Sequence, residues 1–154
     1  MFSKSKAIFG LLKRVRELDS TKFEDRLCAQ KILYILQQGF GLNFDYKYEW
    51  YLYGPYSVEL SQDFYQVKNT YNLEETSFKS KDLEHKFINA LNFFKEIKPN
   101  KHTIELLSTI IFSNKELRFN EEQTISSIRE KKPYFSEKEI KDAWNLLIEK
   151  KLIC

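Results

Sequence analysis

Over most of this chain the apolar residues recur every three or four positions, the spacing that lines one face of a helix. Turn-forming residues are scarce. Four glycines and three prolines in 154 residues leave few places for the backbone to reverse. That scarcity argues against a loop-rich sandwich and for long helices. Only residues 46–53, YKYEWYLY, alternate as a strand would.

The helical segments can be read in order. Ile8, Leu11, Leu12 and Val15 stripe a first helix from about Ser5 to Leu18, and Ser20 or Thr21 is placed to cap a second over Phe23 to Gln38. Gly39 is the expected helix stop, because glycine tolerates positive φ. In the alternating stretch Tyr46, Tyr48, Trp50 and Leu52 share one face, and Lys47, Glu49, Tyr51 and Tyr53 share the other. Gly54-Pro55 breaks that strand, Ser57 caps the next helix, and Glu59 sits where the helix dipole favours a carboxylate. Leu60, Phe64, Val67 and Tyr71 continue the helix, and a short strand is expected around Thr76 to Phe78.

Leu83, Phe87, Leu91 and Phe94 then stripe a helix that Pro99 ends. The stretch TIELLSTIIF (103–112) is apolar nearly all round, so it belongs at the centre of the core. Asn120 with Gln123 and Ser136 with Glu139 have capping-box spacing, with Ile140, Trp144, Leu147 and Ile148 facing inward on the last helix. The whole predicts one compact, mainly α domain, 1–154, with a small antiparallel β element. Its two halves read as related helical lobes: 1–79 winged-helix-like, and 80–154 a helix-turn-helix without a wing.

The sequence KILYILQ (31–37) followed by YKYEWYLYGPYSVELSQD (46–63) resembles the YwgA-like family of small bacterial and archaeal proteins. Lys31, Tyr34, Gln37, Tyr53, Gly54, Pro55, Tyr56, Ser57, Leu60 and Asp63 stand at the matching positions. A looser likeness extends to the Panacea domain of SocA-type antitoxins, which also has a Tyr-Gly-Pro step after a Lys-x-x-Tyr helix. The resemblance covers the first half of the chain. It implies a winged-helix-like fold and carries fold further than function.

Catalytic signatures are missing from the sequence. GxSxG, HExxH and GxxxxGK[ST] do not occur, His85 and His102 have no second ligand at metal spacing, and Cys28 reads as a buried thiol. No catalytic residue, metal or cofactor is expected. Two cysteines without a CxxC fit a reducing cytoplasm, and no stretch approaches the ~18 apolar residues of a membrane span.

A net charge of +3 is too small to mark a nucleic-acid binder alone, so the basic runs carry that case. The first expectation is a non-enzymatic regulatory module that binds nucleic acid mainly through its phosphates, with Lys13, Arg14, Arg129, Lys131 and Lys132 as the contacts. The rival expectation is a protein-interaction module using the aromatic strand and adjoining helix, with a second copy of the chain among its partners. For that reading the candidate site is a small polar pocket of Lys31, Tyr34, Gln37, Tyr53, Tyr56 and Ser57.

Overall fold

The computed structural model describes residues 4–51, 54–67, 78 and 80–154, with the backbone alone at 4–7 and 67. The fold is mainly α with a small antiparallel sheet. Helix α1 (Lys4–Val15) buries Ile8, Phe9, Leu11 and Leu12 against α3 (Val58–Val67) and α4 (Lys81–Ile97). Phe9 meets Phe64 edge to face at 5.9 Å, a favoured aromatic geometry.

Helix α2 (Phe23–Tyr34) starts without the expected Ser20 or Thr21 cap. Asp25 in its first turn reaches back instead and accepts the Asp19 N–H at 2.9 Å. From Cys28 onward every residue of α2 is buried, so the helix runs through the interior rather than along it. It continues as a π-helical turn (Ile35–Gly39), closed by the Phe40 N–H donating to the Ile35 carbonyl. The left-handed residue that ends it is Gly41 (φ 76°), not Gly39 as the sequence predicts. Gly39 stays inside the turn, where a Cβ would make ordinary contacts at 3.6–3.7 Å with Leu152, Ile111 and Ile35.

The expected strand 46–53 is a shorter hairpin. β1 (Glu49–Tyr51) pairs antiparallel with β2 (Gly54–Tyr56), Trp50 facing Pro55 and Tyr51 facing Gly54. The predicted faces are respected at the described positions, with Tyr46 buried, Tyr48 and Trp50 half-buried, and Lys47, Glu49 and Tyr51 exposed. Leu52, Tyr53, Tyr71, Thr76 and Ser77 lie outside the described residues.

Helix α5 (Lys101–Lys115) is the central element. It touches α2, the π-helical turn and β2 on one side, and α6 (Glu121–Lys131) and α7 (Glu137–Glu149) on the other. The two expected lobes therefore share α5, and one connected core runs from Ile8 to Ile153. Both capping boxes form as read, at Asn120–Gln123 and Ser136–Glu139. Ile148, expected inward, is exposed, while Leu152 and Ile153 after α7 are buried. Among the described residues no helix is long and apolar enough to cross a membrane.

Candidate functional site

The corner between β2 and α3 is fixed by one buried side chain. Gln30, on α2, donates from Nε2 to the Ser57 carbonyl at 2.8 Å and accepts the Ser57 N–H at 2.9 Å. This amide pair satisfies both backbone groups of a fully buried residue, which would otherwise be costly to desolvate. Ser57 then caps α3 through the Leu60 N–H. Gly54 precedes it at φ 106°, where L side chains are strained. A methyl group on Gly54 would lie 3.1 Å from Thr109 Oγ1, 3.7 Å from Lys132 Nζ and 3.9 Å from Lys31 Cε. The backbone thus passes beside two lysines, and its one tight approach is to Thr109.

Those lysines are nearly sealed from solvent, at 5% exposure for Lys31 and 2% for Lys132. Lys31 comes from α2, the continuously buried helix. Lys132 follows α6 as its C-cap, and the turn there holds it inward: Phe135 N–H donates to the Lys132 carbonyl, while the Arg129 guanidinium donates to the Pro133 and Phe135 carbonyls.

Glu105 on α5 is their shared counter-charge. Its Oε1 stands 3.5 Å from Lys132 Nζ, close enough for attraction but at the outer edge of a hydrogen bond, and its Oε2 accepts the Tyr134 hydroxyl. Among the described residues Lys132 Nζ and Thr109 Oγ1 make no hydrogen bond. Burial pushes the Lys31 ammonium down to about 8; Glu105 pulls it back and Lys132 adds to the fall. Burial lowers Lys132 in the same direction, opposed by Glu105.

Lys31 opens outward into a cleft of about 320 Å³ lined by Phe23, Leu27, Tyr51, Pro55 and Tyr56. Its rim is aromatic and wet, with Phe23 58% and Tyr51 42% exposed. The Tyr51 and Tyr56 rings stand 5.0 Å apart across the hairpin. Arg26 lies beside the cleft, within 6.0 Å of the Phe23 ring and 5.5 Å of the exposed Tyr65 ring. Lys31 also floors a second cleft, shared with Cys28, His102 and Glu105. No hydrogen bond links that thiol to the imidazole among the described residues. Burial raises the Cys28 thiol, the opposite of what an activated nucleophile needs.

The structure separates the predicted pocket residues. Lys31 and Tyr56 share the cleft with Gly54. Ser57 is buried behind it on Gln30, and Gln37 turns away to hold the Tyr46 carbonyl and the Phe44 N–H. Tyr34 packs in the core between Tyr48 and Phe112, its hydroxyl buried without a partner among the described residues. Tyr53 falls outside the described residues.

The predicted phosphate contacts also divide. Lys132 is buried and unavailable as a surface contact, and Arg129 is engaged with two carbonyls. Exposed Lys131 lies 5.4 Å from the Trp50 ring. Lys13 lies 5.5 Å from Phe9 and Arg14 5.0 Å from Phe87, both on α1. Arg14 joins Arg16, Lys95 and Lys98 around a separate groove of about 370 Å³.

Gln30, Glu105 and Thr109 were not legible as site residues. The available signal was the polar pair Gln30-Lys31 inside the run from Cys28 to Leu36, where apolar residues are the comfortable ones. Among the described residues no group of three or more His, Cys, Asp or Glu is arranged to hold a metal. No protein-family model matches the chain, and no curated protein or solved structure shows significant similarity to it.

Proposed function

We propose that this chain is a non-catalytic binding module whose partner is another protein, held in the cleft beside the hairpin. One observation carries the reading: exposed Phe23 and Tyr51, with Tyr56, surround a concave site whose floor is a buried lysine. Rigid aromatic side chains around a desolvated polar anchor are the usual composition of an interface hot spot. Arg26, flanked by Phe23 and Tyr65, extends the same surface.

The test uses the intact protein as bait in native lysate, with and without nuclease, beside the double variant Phe23→Ala/Tyr51→Ala. Both side chains are exposed, so their removal leaves the fold in place. A nuclease-resistant partner that the variant loses supports the reading. Capture that nuclease abolishes, or that the variant retains, refutes it.

Nucleic-acid binding is the second reading, and a different groove favours it. Arg14, Arg16, Lys95 and Lys98 surround Leu91, Phe94 and Pro99, with no carboxylate among the lining residues. The competing explanation is local: these cations sit near the C-termini of α1 and α4, where helix dipoles favour them. Random duplex titrated at low and moderate salt separates the two. Phosphate contacts require affinity to fall steeply with salt, and Arg14→Ala/Lys98→Ala should flatten that dependence.

A further inference from the structure

We infer that the floor of the hairpin cleft recognises a carboxylate: Lys31, backed by Lys132 and Thr109 around Gly54, receives an acidic side chain or chain terminus presented by the partner. This deepens the protein-binding reading above and rests on it.

The argument begins with charge. Two ammonium groups, each more than nine-tenths buried, share Glu105 as the carboxylate beside them, leaving one positive charge in surplus. Buried charge is normally paired and hydrogen-bonded, because desolvation is otherwise uncompensated. Among the described residues Lys132 Nζ and Thr109 Oγ1 are buried without a hydrogen bond, and besides Glu105 the Lys132 ammonium has the Trp50 ring at 5.7 Å. Glu105 is already divided between Lys132 and Tyr134, so it cannot serve Lys31 fully.

The surroundings select the anion. Lys31 lines the open cleft, so a ligand reaches it directly; Lys132 and Thr109 act from behind by their field. A single negative charge balances the surplus. A phosphate monoester, carrying nearly two, overshoots it and brings more charge towards Glu105. Leu27, Pro55 and the aromatic rings give the cleft apolar walls, against which a seated ligand displaces water and so strengthens a charge-assisted hydrogen bond at the floor.

The charged and titratable groups facing Lys31 are Glu105 on α5, Lys132 after α6 and Cys28 on its own helix. Glu24, Lys101 and His102 stand further out around the second cleft. A bound carboxylate favours the protonated lysine, so binding should weaken as pH rises through the Lys31 midpoint of about 8.

The experiment follows Lys31 by NMR in the full chain labelled with 13C at lysine Cε. Sodium acetate is titrated against sodium chloride at equal ionic strength. N-acetylglycine supplies a terminal carboxylate, and the acetylated, amidated glutamate supplies a side-chain one. Acetate should move the Lys31 signal saturably and raise its pH midpoint, whereas chloride should not. Lys132→Met should weaken the response severalfold, and Lys131→Met, on the exposed neighbour, should leave it intact.

Preference between the two acetylated probes names the source of the carboxylate. Superimposable acetate and chloride titrations overturn the proposal. So does tighter binding of inorganic phosphate or of a short oligonucleotide. If the aromatic double variant loses a nuclease-resistant partner while acetate behaves as chloride does, carboxylate recognition fails and the binding module stands.

Discussion

Replacing Lys31 with methionine should make this protein more stable. The ammonium is worse off folded than unfolded, since its midpoint falls from the 10.5 of a free lysine to about 8. That difference corresponds to about 3 kcal/mol against the charged form at neutral pH. Methionine keeps the apolar stem and nearly the same volume, so little packing is lost. It also leaves Lys132 and Glu105 as a balanced pair. The midpoint already includes the attraction to Glu105, so only imperfect packing of methionine in the ammonium's place reduces the gain, leaving about 1–3 kcal/mol at pH 7.

The pH dependence makes the test specific. Because the folded midpoint lies below the unfolded one, the penalty is fully present below about pH 8. It fades between about 8 and 10.5 and is absent above. Urea unfolding of wild type and Lys31→Met at pH 6 to 10 reads it directly. The advantage of the variant should shrink as pH rises, because the wild type recovers what it had lost. A variant less stable by about 1 kcal/mol or more at pH 7 would show that Lys31 fastens the fold. A stability difference that is flat with pH would refute the desolvation argument itself.

Other substitutions probe the same corner. Gln30→Leu strands the buried N–H and carbonyl of Ser57 and should cost ~2–4 kcal/mol, with faster hydrogen exchange at the Ser57 amide. Gly54→Ala should cost ~1–3 kcal/mol from its φ of 106°. Contact with Thr109 Oγ1 should add to that cost, and adding Thr109→Ala should return only the contact part in a double-mutant cycle of thermal melts. Tyr34→Phe removes a buried hydroxyl without a partner among the described residues and should leave the melting temperature unchanged or raise it. Trp50→Ala should cost about 2–3 kcal/mol, below a fully buried ring, because Trp50 is half-buried over Phe112.

Much of the fold is legible in the chain because its causes are local. The two capping boxes, the Ser57 cap and the centrality of 103–112 follow from neighbours within about four residues, where helix periodicity and capping act. The inward face of the alternating stretch follows from the two-residue period of a strand. These features needed no knowledge of what packs against them.

The site is different, because its determinants are pairings between distant residues. Lys131 and Lys132 are chemically identical neighbours, yet one is exposed and the other sealed. Arg129 and the turn through Phe135 decide that, together with a carboxylate 27 positions earlier on α5. Gln30 and Gln37 lie on one continuous helical stretch, and local chemistry favoured Gln37; the placement of Ser57 gave the clamp to Gln30. Gly39 and Gly41 are equally able to end a helix, and only the folded chain shows that Gly41 takes the positive φ while Gly39 stays in the π-helical turn. The sequence alone determined where the helices form and most of the faces that turn inward, since backbone propensity and periodicity are short-range. Which polar groups are buried, and beside whom, was decided by the tertiary structure, because only packing brings α2, the hairpin, α5 and the end of α6 around one glycine.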